Sequence, residues 1–155
     1  ARPPAKSIHE KENLIMKFTT YTQLSPEAKA LREEVFCQEQ GFQEEFDSQD
    51  QASHHGLLWD DQEEAVGVCR FFPGEEPGIW ILGRIAVKKR LRGKGAGSLL
   101  VEGTEKAVKE LGGTEIRLHA QVRAKHFYET LGYEAYGPIE PDEGVPHQWM
   151  KKQLE

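Results

Sequence analysis

Residues Ile79, Trp80, Ile81, Leu82, Gly83, Arg84, Ile85, Ala86 and Val87 form a long, nearly continuous apolar run. A strand that is apolar on both sides needs cover on both faces of its sheet. The segment behind it changes character at once. Residues 88–94 carry five cations in seven positions (Lys88, Lys89, Arg90, Arg92, Lys94), and glycines stand at 93, 95 and 97. From Ala96 the apolar period becomes helical: Ala96, Leu99, Leu100, Gly103, Ala107 and Leu111 share a face, and Gly112-Gly113 stops it. A buried strand, a glycine-rich turn and a helix start therefore follow one another directly.

That succession has a chemical consequence. Gly93, Gly95 and Gly97 let the backbone bend tightly and approach a ligand without Cβ clashes. The amides entering the helix lack backbone acceptors, and the helix dipole adds positive potential at the same spot. A phosphate or pyrophosphate is the natural ligand for such a turn. The ATPase loop does not fit, because neither Gly-Lys-Ser nor Gly-Lys-Thr occurs. The dinucleotide pattern G-x-G-x-x-G also fails, since counting from Gly93 its last place is Ser98. The alternative is that the glycines only make a tight connection beside a solvated charge run.

The other elements follow from pattern. Leu14 to Tyr21 reads as a first strand. Ser25-Pro26-Glu27 is a helix start, with a hydroxyl cap, proline at the first position and an acid behind it. That helix is expected to run to about Gln40 and to end at Gly41. Gly41 to Ser53 reads as a loop or short irregular helix. His55 to Trp59 and Ala65 to Phe72 read as strands around an Asp60–Glu63 turn. Glu115 to Gln121 alternates, with Ile116, Leu118 and Ala120 facing one way and Arg117, His119 and Gln121 the other. Ala124, Phe127, Tyr128 and Leu131 make a helical stripe ended by Gly132. A short strand is expected at Tyr133–Tyr136, turns over Pro138–Pro146 and a last strand over Gln148–Lys152. Antiparallel strands leading into crossover helices give a mixed α/β sheet in one domain, 14–155, behind a polar tail, 1–13, read as trimmed or appended.

Bulk properties narrow the function. A chain of 155 residues with net charge −6 is not built as a general nucleic-acid binder. The run Lys88–Lys94 also lacks the interleaved aromatics of a single-strand platform. No apolar run reaches membrane-span length and no signal peptide is evident. Cys37 and Cys69 read as reduced thiols, so the expected location is cytoplasmic.

Two motifs then converge on one family. Arg92-Gly93-Lys94-Gly95-Ala96-Gly97 matches R-x-x-G-x-G/A at a helix start. Ala124-Lys-His-Phe127-Tyr128-Glu-Thr-Leu-Gly132-Tyr133 matches A-x-x-[F/L]-Y-x-x-x-G-[F/Y]. In these the chain resembles the GNAT (Gcn5-related N-acetyltransferase) family over nearly all of its length after the tail. Further residues resemble the ElaA-like branch: Arg32, Val35, Phe36, Glu39 and Gln40; Asp47, Asp50 and His54; Arg70; Gly83-Arg84; Ala120-Gln121; and Gly144-Val145-Pro146-His147 with Met150. Gln121 stands where many members carry Asn, a change this branch tends to share.

The resemblance implies a single α+β GNAT-type domain: a mixed, mostly antiparallel sheet of six to seven strands flanked by helices, with a splayed central strand pair. It implies acetyl-CoA as cofactor and an acetyl group moved directly to a primary amine of a small molecule or protein. The pyrophosphate would lie on Arg92, Gly93, Lys94, Gly95, Ala96, Gly97 and Ser98, and the pantetheine arm along Ile85, Ala86 and Val87. The Val87 amide would polarise the thioester carbonyl. Gln121, Phe127 and Tyr128 complete the cofactor set, with Tyr128 as proton donor to the leaving thiolate. From periodicity alone Tyr128 reads as a core aromatic, and the motif match reverses that.

The attacking amine must lose a proton, since a free ammonium titrates near pH ~10. Glu39 and His147 are the candidate bases, and His147 is favoured for the near-neutral pKa of imidazole. A hairpin histidine capping a carbonyl is its bland alternative. The acceptor side would use Arg32, Glu39, Gln40, His54, Arg70, Arg84 and His147. Buried arginines need partners: for Arg70 and Arg84 these are either Asp47 and Asp50 or an anionic group on the substrate. The acidic stretch Glu44 to Asp50 is a candidate attractor of cationic amines. No metal is expected, because His54-His55, His119 and His126 have no ligand spacing with the cysteines. Cys37 reads as a small buried thiol rather than a nucleophile. A homodimer is a family habit. The competing reading is a non-catalytic CoA or acyl-CoA sensor, or an interaction module, on the same fold.

Overall fold

The computed structural model describes residues 16–42 and 46–155. Its strands are β1 (Lys17–Tyr21), β2 (His54–Trp59), β3 (Ala65–Pro73), β4 (Ile79–Val87), β5 (Glu115–Gln121), β6 (Glu134–Asp142) and β7 (Val145–Gln153). They form one seven-stranded sheet in the order β1-β2-β3-β4-β5-β7-β6. Only the β4–β5 pair is parallel. Helix α2 (Ala96–Glu110) makes that crossover, and α3 (Lys125–Thr130) follows β5. Helix α1 (Pro26–Arg32) precedes β2.

The two faces of the sheet carry separate apolar layers. On one, Leu100, Val101 and Val108 of α2 pack with Leu58, Phe71, Leu82 and Ile116. On the other, Ala28, Leu31, Val35 and Phe36 pack with Leu57, Val68 and Ala86. This two-sided cover explains the near-continuous apolar run of β4.

Local chemistry works as expected at the start of α1: the Ser25 side chain accepts from the Ala28 amide at 3.1 Å, and Pro26 opens the helix. The second half of this helix differs from an α-helix. Glu33–Glu39 is a wide π turn, closed by Gln40 N donating to Val35 O at 3.1 Å and ended by Gly41 at φ 79°. A short 3-10 turn occupies Ser48–Ala52, capped by Asp47 and Asp50. Leu14 and Ile15 of the expected first strand, and Gln43–Glu45 of the expected loop, lie outside the described residues.

The C-terminal hairpin is longer than expected. β6 and β7 extend through most of the segment read as turns, leaving only Glu143 and Gly144 (φ 50° and 80°) as the connection. β6 is the sheet's edge strand, so Pro138 and Pro141 sit where a missing amide removes no outer ladder bond. The register shift between Tyr136 and Glu140 takes up Pro138.

Candidate active site

β4 and β5 are paired only from Ile79↔Glu115 to Leu82↔Leu118. Beyond that, β4 runs on to Val87 against β3, and β5 runs to Gln121 against β7, where Gln121 faces His147. The two central strands therefore splay. The register of β4 against β3 slips between Val68 and Arg70, and Arg84 there takes φ 51°, a strained conformation for a long side chain. Lys88 N donates to Val66 O at 2.9 Å, so in the alternating antiparallel pattern the neighbouring Gly67↔Val87 pair is the non-bonded one. The amide and carbonyl of Val87 thus point away from β3, toward the opening. The carbonyl accepts from Arg92 Nε (3.1 Å) and Nη2 (2.9 Å).

A 3-10 turn, Lys89–Leu91, leads from β4 into the glycine turn. Gly93 and Gly95 adopt φ 79° and 86°, where a side chain would be strained. The first helical bond of α2 runs from Leu99 N to Gly95 O at 3.1 Å. The amides of Ala96, Gly97 and Ser98 consequently have no carbonyl one turn back and point out of the helix start. A Cβ on Gly97 would meet Phe127 Cζ at 3.1 Å, so the Phe127 ring of α3 packs closely on α2 where position 97 carries no side chain. The cations are less concentrated on this spot than the sequence suggests. Arg90 is held by Asp60 (3.3 Å) and Glu64 (2.7 Å), and Lys88 lies between Glu34 (3.7 Å) and Glu64 (3.6 Å). Arg92 is held by Glu39 in a fork of 2.8 and 3.0 Å. What the turn could offer an anion is therefore chiefly its backbone amides rather than a ring of cations.

The splay opens into a cavity of about 450 Å³ on the α1 side, lined by Gly83–Ile85 and by Ala120, Gln121, Tyr128 and His147. Val87 is not part of this lining. Gln121 Nε2 donates to Gln40 Oε1 at 3.1 Å, so the end of the first helix reaches both splayed strands: Glu39 to Arg92 behind β4, and Gln40 to the end of β5. Tyr128 is buried, with the Phe127 ring edge-on at 5.0 Å. Burial, with the Cys69 thiol nearby, holds its phenol above the usual range, which keeps it protonated. His147 Nδ1 lies 2.7 Å from Val145 O; donating there leaves Nε2 with its lone pair.

His119, set aside in the sequence, stands beside His147 with ring centroids 4.9 Å apart and stacks on Trp149 at 4.8 Å. Burial, and then His147, lower its pKa against the pull of Asp142 and Glu140. The alternation of β5 placed His119 with Gln121, but only the β5–β7 pairing brings His147 onto the same patch.

Several expected acceptor residues have other tasks. Arg32 is fully buried and forks onto Asp50 at 2.7 and 3.2 Å. Arg70 takes Asp47 at 2.6 Å and Asp50 at 3.1 Å, and Arg84 reaches Asp47 at 3.3 Å. Asp47 and Asp50 are therefore structural partners of these arginines. His54 lies on the opposite face of the sheet, stacked on Phe71 at 5.4 Å in the α2 layer. Its neighbour His55 faces Arg70 instead, with Nε2 3.0 Å from Asp50 O. Glu39 lies outside the cavity lining, and the Arg92 fork holds its carboxyl below the usual range, which weakens it as a base. Cys69 is buried against Thr104 at 3.3 Å, and burial pushes its thiol up to about 11. Among the described residues no cluster of three or more His, Cys, Asp or Glu could hold a metal, and no helix is long and apolar enough to cross a membrane.

Comparison with known proteins agrees with this geometry. Residues 19–154 match the family model of the acetyltransferase (GNAT) domain. A Bacillus subtilis protein described as the uncharacterized N-acetyltransferase YjcF is 36% identical over 125 residues, covering 79% of this chain and 87% of its own. The crystal structure of Escherichia coli ElaA superposes with TM-score 0.77 at 23% identity, covering 89% of this chain and 99% of that one. An aminoglycoside 6'-N-acetyltransferase complexed with coenzyme A superposes with TM-score 0.71 at 21% identity, covering 90% and 97%. The last two likenesses are of fold.

Proposed function

The chain belongs to the GNAT acetyltransferase family, and from that premise we propose that it moves an acetyl group directly from acetyl-CoA to the primary amine of a small molecule or protein. The observation that carries this reading is the β4–β5 splay with a glycine turn at the end of β4. The outward amides of Ala96, Gly97 and Ser98 suit a pyrophosphate, and glycine at 93, 95 and 97 lets it approach. The free edge of β4 at Ile85–Val87 suits the amides of a pantetheine arm. The Val87 amide, directed off β3, is a donor for that arm or for the thioester oxygen.

In the transfer step the amine nitrogen bonds to the thioester carbonyl carbon and the C–S bond breaks. His147 Nε2 takes the proton that the ammonium must lose. Tyr128 gives its hydroxyl proton to the departing thiolate and is restored by the second proton, which the nitrogen loses on becoming an amide. Much of the acceleration comes from holding amine and thioester together. A cytoplasmic enzyme, homodimeric by family habit, belongs to the same reading.

The test is acetyl-CoA-dependent release of free CoA thiol over a panel of primary amines, with the acetylated product identified by mass. Release that rises with one amine and saturates supports transfer. Tight CoA binding with no turnover on any amine favours a sensor instead.

A further inference from the structure

We propose that the acceptor is a small arylalkyl primary amine carrying one positive charge; this rests on the acetyl transfer proposed above. The cavity is walled by rings from separate elements. Phe42 follows the first helix, Phe72 comes from β3 and Trp149 from β7, and each is only partly buried, leaving ring surface toward the space. Trp149 is backed by the stacked His119 ring at 4.8 Å, Phe42 lies tilted against Phe36 at 6.3 Å, and the Arg70 guanidinium lies over the Phe72 ring at 5.7 Å. Aromatic walls of this kind suit a flat apolar body.

Charge decides between amine classes. At the His147 end the cavity is bordered by Asp142, whose Oδ2 lies 4.0 Å from His119 Nδ1, and by Glu143 at the hairpin tip. These carboxylates suit one ammonium beside the proposed base. Elsewhere the described lining carries Arg70, Arg84 and Arg123. Asp47 and Asp50 balance two of the charges of Arg32, Arg70 and Arg84, so with Arg123 this wall keeps a positive excess. A polyamine or an amino sugar with several ammonium groups would set its further charges against it. A monocation places its only charge at the acidic end and its ring among the aromatic walls. The volume of about 450 Å³ must also take the thioester end, which limits the part of the acceptor that enters to about one ring and its aminoalkyl arm.

The test compares kcat/KM at fixed saturating acetyl-CoA for 2-phenylethylamine and tryptamine against spermidine, glucosamine and an Nα-acetyl-lysine amide. The arylalkylamines are expected to exceed each of the others by at least tenfold. Trp149→Ala should lower their kcat/KM about tenfold, mainly through KM, with CoA affinity by calorimetry unchanged. Phe72→Leu, on another strand, gives the same reading should Trp149→Ala not fold. Spermidine, glucosamine or the lysine amide as best substrate overturns this inference and leaves acetyl transfer standing. An arylalkylamine KM indifferent to both variants also overturns it. No acetylation of any amine by a CoA-binding protein removes the proposed function and this inference together.

Discussion

The carboxylate of Glu39 meets the guanidinium of Arg92 in a two-bond fork, 2.8 and 3.0 Å, across 53 residues of sequence. Arg92 opens the phosphate-type turn, while Glu39 ends the helix that overlooks the cavity. The same guanidinium also caps the Val87 carbonyl, and Gln40 ties the helix end to Gln121 on the other lip of the splay. The helix end thus bridges both strands between which a pantetheine arm would lie.

A negative charge kept beside the proposed pyrophosphate site opposes a polyanion. Glu39→Gln is therefore expected to tighten CoA binding about threefold, an effect that fades with salt because the pair is largely exposed. Turnover should stay within about threefold of the parent, since a forked carboxylate of lowered pKa is a poor base. Calorimetry with CoA at two ionic strengths, beside steady-state kinetics, checks both. A hundredfold loss of kcat would make Glu39 the base after all.

Tyr128→Phe isolates the proposed proton donor. The phenol is buried in the cavity wall, and its ring keeps its packing when the hydroxyl goes. Turnover should fall by about a hundredfold, the low end of general-acid effects, while CoA affinity hardly changes. Unchanged kcat would return Tyr128 to the role of a core aromatic.

His147→Gln should remove the acid limb of the kcat/KM profile. With Nδ1 donating to Val145 O, Nε2 keeps the lone pair that a general base needs, and a base is inactive once protonated. A variant profile that keeps the parent's acid limb would remove His147 from the mechanism.

The contrast between these residues and the displaced ones shows what a sequence carries. The Ser25 cap and the turn at 93–97 are local chemistry: a hydroxyl three residues from its amide, and glycines where the backbone turns left-handed. Both were legible, as was the order of elements. His54 against His55 was not, because the choice of face is set by the register of β2 on β3. The extent of β6 was hidden by Pro138 and Pro141, whose cost depends on β6 being an edge strand, a fact of the whole sheet. Arg70 and Arg84 announced that they needed partners, with Asp47 and Asp50 or a substrate anion as the alternatives. That the two carboxylates take both, and Arg32 as well, depends on contacts 18 to 37 residues apart, which no local pattern encodes.

The Arg32–Asp50 pair gives a stability prediction with a definite sign. Burial alone would raise the Asp50 pKa. The Arg32 fork, the Asp47 amide and Arg70 outweigh it and bring the carboxyl from 3.8 down to about 2. A depressed folded-state pKa means stability that is fully present above the unfolded value and lost as pH falls through the folded one. The window is therefore from about pH 4 down to about pH 2, and the loss is about 2 kcal/mol. Asp50→Asn should remove this contribution and weaken the two-bond fork on the buried Arg32 guanidinium, at a cost of about 2 kcal/mol or more at neutral pH. Urea unfolding from pH 5 to pH 2 should show the gap between parent and variant narrowing as pH falls. Parallel curves would mean that Asp50 does not titrate against Arg32 in this way.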